Sequence, residues 1–156
     1  MKKLALLFVV FVSSILLVGC GGNKRVVEGD LDDVMSKLYK GLKDDEKPMM
    51  LQNIEVDKEN IEGFIGTSDI EYESIIASES ATGSIAHSVV LIRTTKDADI
   101  EAIKKEIKKN INPRKWVCVG VEKEDIIIKN KGDLIIVIVV ENQKTRETIE
   151  KNFDNL

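Results

Sequence analysis

The chain is poor in the residues that most enzymes and cofactor proteins use: 156 residues hold one histidine, two cysteines, one tryptophan and two prolines. A single imidazole, His87, cannot supply the paired nitrogen ligands of most zinc sites, and Cys118 adds only one further donor at no useful spacing. No metal or cofactor is expected. Serine catalysis would depend on His87 alone. Ser84 stands three residues before it and Ser88 directly after it, and in a strand both spacings put the hydroxyl on the face opposite the imidazole. There is no G-x-S-x-G elbow, and Gly63-Phe64-Ile65-Gly66-Thr67-Ser68 has neither the spacing nor the lysine of a phosphate loop. These absences argue against an enzyme and leave a hydrolase built on His87 as the residual alternative.

Carboxylates are plentiful, but their patterns are those of solvated surface. Asp30-x-Asp32 begins like a calcium loop, yet Val34 occupies the third ligand position and Met35 the glycine position, so the run reads as a helix start. Asp44-Asp45-Glu46 offers a divalent ion little beyond loose charge, and is read as a solvated loop. Glu71 and Glu73 fall on one strand face, the default placement of charge on an exposed sheet, so no acid-base pair is assigned to them. Trp116 is read as a core anchor.

The strongest pattern lies at the N-terminus. MKKLALLFVVFVSSILLVG has two lysines, an apolar stretch too short for a comfortable membrane crossing of about 20 residues, and small residues at its end, the layout of an export signal. Leu17-Val18-Gly19-Cys20 resembles the bacterial lipobox, which makes Cys20 the expected lipid acceptor and residues 1–19 a cleaved signal peptide. Two acyl chains hold a protein on a membrane stably where one does not. Residues 20–29 carry three glycines and no strong periodicity, and are expected to be a flexible tether. Fully extended, its last nine residues would reach about 30 Å, or about 15–18 Å as a coil.

Loss of Lys2 and Lys3 from 23 basic residues leaves 21 against 27 acidic ones, a formal charge of about −6. That argues against nucleic acid and against adhesion to anionic lipid head groups by charge alone. With Cys20 acylated, Cys118 has no partner for an intramolecular disulfide, and its setting in Trp116-Val117-Cys118-Val119 is that of a small buried hydrophobe.

Residues 30–156 form one globular domain by length and pattern. Leu31, Val34, Met35, Leu38 and Leu42 recur at helical spacing over 30–42, with Asp30 as cap. Residues 49–66 suggest short helical or irregular pieces. Residues 70–78 alternate as a half-exposed strand, with Ile70, Tyr72 and Ile76 on one side. Residues 85–94 form a strand apolar on both faces, and Asp97 or Asp99 opens a helix stopped before Asn112-Pro113. Residues 126–128 and 134–140 flank a hairpin turn at Asn130-Lys131-Gly132-Asp133, and 142–155 forms the last helix. The expectation is an α+β domain: an N-terminal helix, then two strand-strand-helix units forming a four-stranded, mainly antiparallel sheet with helices packed on it, and with 85–94 and 134–140 central.

Leu38-Tyr39 with Pro48, Ile85-Ala86-His87, the Val89-Val90-Leu91-Ile92 run, the segment NPRKWVCVGVE (112–122) and Lys131-Gly132-Asp133 together resemble a family of small bacterial lipoproteins that carry a domain of unknown function, common among Gram-positive anaerobes. The abundance of lysine over arginine and of isoleucine fits an AT-rich host of that kind. The resemblance spans 31–156 and rests on packing and turn residues, so it implies no catalytic or binding residue. It implies a lipid-anchored protein on the outer side of the cell membrane. Its partners would be the membrane, through the lipid on Cys20, and an envelope protein or peptide bound by a non-catalytic module. The alternative is a small-ligand-binding or transporter-accessory lipoprotein with a pocket lined by Trp116, Tyr72, Met49 and Met50.

Overall fold

The two most apolar stretches of the chain lie side by side at the centre of one sheet. In the computed structural model, which describes residues 22–156, these are β3 (His87–Thr94) and β5 (Leu134–Val140). They pair antiparallel, with Val90 opposite Val137, and every residue of both is buried. Flanking them are β2 (Tyr72–Ser80), β1 (Leu51–Val56) and β4 (Ile127–Lys131), in the order β1-β2-β3-β5-β4, with every neighbouring pair antiparallel.

Helices cover both faces, which explains why the central strands show no polar alternation. On one face α1 (Leu31–Leu38) and α4 (Gln143–Asp154) pack on Val89, Leu91, Leu134, Ile136 and Ile138. On the other, α2 (Ile61–Ile65) and α3 (Ile100–Asn110) pack on Val90, Ile92, Ile135, Val137 and Val139. The period of two thus sends alternate residues of the same strand into two separate cores. Helix starts follow the capping rule: the side chains of Asp30, Asp99 and Asn142 each accept a bond from the backbone N–H three residues on, at 3.0 Å.

The architecture is α+β with one antiparallel sheet and four α-helices, but the sheet has five strands where four were expected. The additional strand is β1, in the stretch read as helical or irregular. Its sequence, Leu-Gln-Asn-Ile-Glu-Val, places polar residues on both faces because it is an edge strand with only Val56 fully buried. Its pairing with β2 comes from the main chain and leaves little trace in hydropathy.

The first helix ends at Leu38, one turn before Leu42, which is still buried. A second correction concerns β2. The register slips between Tyr72 and Ser74, so a bulge at Glu73 reverses the faces expected from simple alternation. Tyr72 and Ile70 pack on the α2–α3 side, whereas Ile76 packs on the α1–α4 side.

In its described part, the segment expected to be a flexible tether is bound to the domain at Asn23, Lys24, Val27 and Gly29. Asn23 donates its backbone N–H to Lys96 O at 2.6 Å, and its side-chain amide to Thr95 O at 3.2 Å and Ala98 O at 2.8 Å. The Asp133 N–H donates to Lys24 O at 3.0 Å, and Val27 is buried in the α1–α4 core. Asparagine and valine in a glycine-rich run gave no periodic signal of this. Cys20 and residues 1–19 lie outside the described residues. Among the described residues no helix is long and apolar enough to cross a membrane.

Candidate functional site

Three groups of side chains hold the chemistry that the fold brings together, and they occupy different ends and faces of the sheet. His87, at the start of β3, points to the α1–α4 side, where the Tyr39 hydroxyl shares a 2.7 Å hydrogen bond with its Nε2. Burial lowers the imidazole from its ordinary value to about 4, and burial raises the Tyr39 phenol above its ordinary value. Both groups are therefore neutral at pH 7, and the imidazole is only 2 % exposed. A hollow of about 160 Å³ near Glu46 and Thr145 approaches His87, well below the roughly 300–1,000 Å³ of ligand pockets.

None of the nearby serines bonds to His87. Ser84 is exposed, the Ser80 hydroxyl donates to Met49 O at 2.7 Å, and Ser88 is buried with no partner for its hydroxyl. The arrangement is that of a sealed polar pair in a core. The sequence marks Tyr39 only as a packing residue at the end of the first helix; its pairing with His87 is not foreseen there, because it falls in the turn after α1, beyond the regular spacing.

The second group sits where β3 ends and β5 begins. Arg93 and Asp133 are both buried, and their ion pair spans 3.3 Å. The same guanidinium donates to Val27 O at 2.8 Å and Gly29 O at 3.1 Å. Arg25 reaches Asp133 from outside at 3.2 Å and also pairs with Glu73. A charge inside an otherwise apolar strand was the available signal, and Arg93 carried it. Glu73 is thus engaged by Arg25, whereas Glu71 lines an open groove of about 860 Å³ on the other side of the bulge. The structure does not assemble these two carboxylates into a pair.

The third group is at the opposite end. The backbone of Met49 and Met50 leads into β1, and the turn after β2 binds it through Ala81 N–H to Met50 O, 3.0 Å. The same turn accepts from Val117 N–H through Gly83 O at 2.8 Å. This links two loops whose side chains face solvent: Met49 is 71 % exposed, Met50 68 % and Val117 68 %. Cys118 is exposed as well, correcting the expectation of a buried thiol. Residues 111–122 form no strand, so the apolar run around Cys118 does not enter the core. Met50 and Cys118 both have positive φ, 53° and 62°, a conformation that costs L-residues about 1 kcal/mol or more.

Lys115 pins this loop from beneath. Its ammonium pairs with Glu79, donates to Gly63 O at 3.1 Å, and lies 4.9 Å from the Phe64 ring centre and 5.4 Å from that of Trp116. Trp116 is half-buried against the α2–α3 core, as expected of an anchor. No family model, curated protein or solved structure matches the chain. The site is therefore read from its own geometry.

Tyr72 lines the 860 Å³ groove at one end of the sheet, whereas Met49 and Met50 project from the other. The four side chains expected to line one ligand pocket are not brought together. Asp30 and Asp32 belong to the cap and first turn of α1, and Asp32 accepts from Asn53 at 2.9 Å. Glu46 pairs with Lys144. Among the described residues no three His, Cys, Asp or Glu side chains are grouped to hold a metal ion.

Proposed function

We propose that this chain is an extracytoplasmic lipoprotein, anchored through a diacylglyceryl group on Cys20, whose domain is a non-catalytic interaction module of the cell envelope. The observation that carries the second half is the apolar tip formed by Met49, Met50, Val117 and Cys118. Exposed apolar residues scattered singly are ordinary, but several on loops that the main chain ties to one turn suit a contact surface. Here the fold holds two such loops together across the 81–84 turn, and a lysine set between two rings braces one of them. Methionine is well suited to such a surface because its unbranched, polarizable chain adapts to a partner's shape. An envelope protein is the partner this surface fits.

The test is a photo-crosslinking amino acid placed at Val117 in cells, with the exposed α3 position Lys105 as control. The expected result is one reproducible envelope-protein adduct at 117 and none at 105, lost when Met50 and Met49 are both changed to serine. Adducts that are identical at the two positions would refute the reading.

A further inference from the structure

The strap is hydrogen-bonded to the domain at Asn23, three residues after Cys20, and this limits how far the domain can stand from a lipid on Cys20. Every backbone contact of the strap at 22–29 is made with the same end of the sheet. Asn23 closes on the β3–α3 turn through three hydrogen bonds, and Lys24 O accepts from Asp133 N–H. Val27 and Gly29 present their carbonyls to the buried Arg93 guanidinium. Glycine is needed at two points of closest approach. A Cβ on Gly22 would collide with Lys96, and one on Gly132 would collide with Lys24 O. The strap is thus built into the end of the sheet.

From Cys20 to Asn23 there are three Cα–Cα steps, which span at most about 11 Å. The head-group layer on one side of a bilayer occupies about 5–8 Å of that, taking the difference between the total and hydrocarbon thicknesses. With the acyl chains in the leaflet, little slack is left. Resting on the lipoprotein reading above, we infer that the strap end of the domain, with Lys24, Val26, Lys96 and the 130–133 turn, lies against the phospholipid head groups. The apolar tip then points away from the membrane.

The surface chemistry fits this contact. Lys24 and Lys96 are exposed and form no ion pair within the described residues, and Val26 is 53 % exposed beside them. Lysine ammonium groups suit phosphate oxygens as point charges, and a small apolar side chain suits the interface. Asp97 and Asp99 lie at the same end, so charge adds little net attraction. The acyl chains supply the affinity and the strap supplies the orientation.

The experiment uses the full-length acylated protein in vesicles of equimolar phosphatidylethanolamine and phosphatidylglycerol containing a head-group spin-labelled lipid. One preparation carries a fluorophore on native Cys118. The other carries it at 97, in a Cys118→Ser, Asp97→Cys protein. The two positions lie near opposite ends of β3, whose eight residues span about 26 Å. Quenching should be severalfold stronger at 97 than at 118. The double variant Gly22→Val, Asn23→Ala should float with the vesicles as before but lose most of that difference. Equal quenching at 97 and 118 in floating protein would overturn the orientation while leaving the anchor reading intact. Protein that fails to float would overturn the lipoprotein reading and the orientation with it.

Discussion

One side chain, His87, should carry a separable part of this domain's loss of stability in acid. Its imidazole is buried beside Tyr39 and lowered to about 4 from 6.5. Between those two pH values the unfolded chain binds a proton at His87 that the folded chain does not, so stability rises with pH across the window. The contribution is fully present above pH 6.5 and is lost progressively as pH falls to about 4. A displacement of about 2.5 units corresponds to about 3 kcal/mol, a large part of the roughly 5–15 kcal/mol that holds a domain together.

Urea unfolding at a series of pH values from about 7.5 to 4.5 would measure it, with His87→Gln as the comparison. Glutamine keeps a polar group for the Tyr39 hydroxyl and does not titrate. Carboxylates such as Glu46, held below its ordinary value chiefly by Lys144, lose their own stabilisation in acid but do so equally in both proteins. The stability gap between wild type and variant should therefore shift by about 2–3 kcal/mol toward the variant as pH falls. A gap that stays constant over that range would refute the assignment of His87 as a neutral, sealed residue.

Two further predictions concern buried polar groups. Asp133→Ala leaves the Arg93 guanidinium buried without its carboxylate and should cost about 3–5 kcal/mol in thermal unfolding, accompanied by faster hydrogen exchange at Asn23. Ser88→Ala removes a buried hydroxyl that has no hydrogen-bond partner and should stabilise the domain by about 1 kcal/mol; a loss of stability in urea unfolding would show that the hydroxyl is satisfied.

The parts of this fold that are legible in sequence are those held by burial. β3 and β5 could be placed at the centre of the sheet because two cores consume every one of their side chains, and the cap at Asp30 is local chemistry that needs no tertiary knowledge; between Asp97 and Asp99 the structure chooses Asp99, and it adds Asn142 as the cap of the last helix. The turn at Gly132-Asp133 is equally local, with Gly132 at φ 58° between paired Lys131 and Leu134. What escaped was held by main-chain bonds or by distant partners. β1 is an edge strand whose composition is nearly featureless, and the bulge at Glu73 reverses side-chain faces without any marker residue. The position of Cys118 was misjudged because an apolar run was taken as buried, whereas its backbone is committed to the neighbouring turn. Asn23 and Tyr39 acquire their roles only from residues 48 to 75 positions away.

The strap also sets an order of events. Its partners lie late in the chain: Arg25 meets Asp133 across 108 residues, and Asn23 meets Thr95 and Ala98 across 72 and 75. The Asn23 bonds need the β3–α3 turn in place, and the Arg25 bond needs the β4–β5 hairpin, which delivers Asp133. Contacts of such long separation are late and slow because loop closure precedes their reward. An early part of the chain therefore depends on late ones for its hold. The strap at 22–29 is thus secured only once the strands that carry its partners are in place.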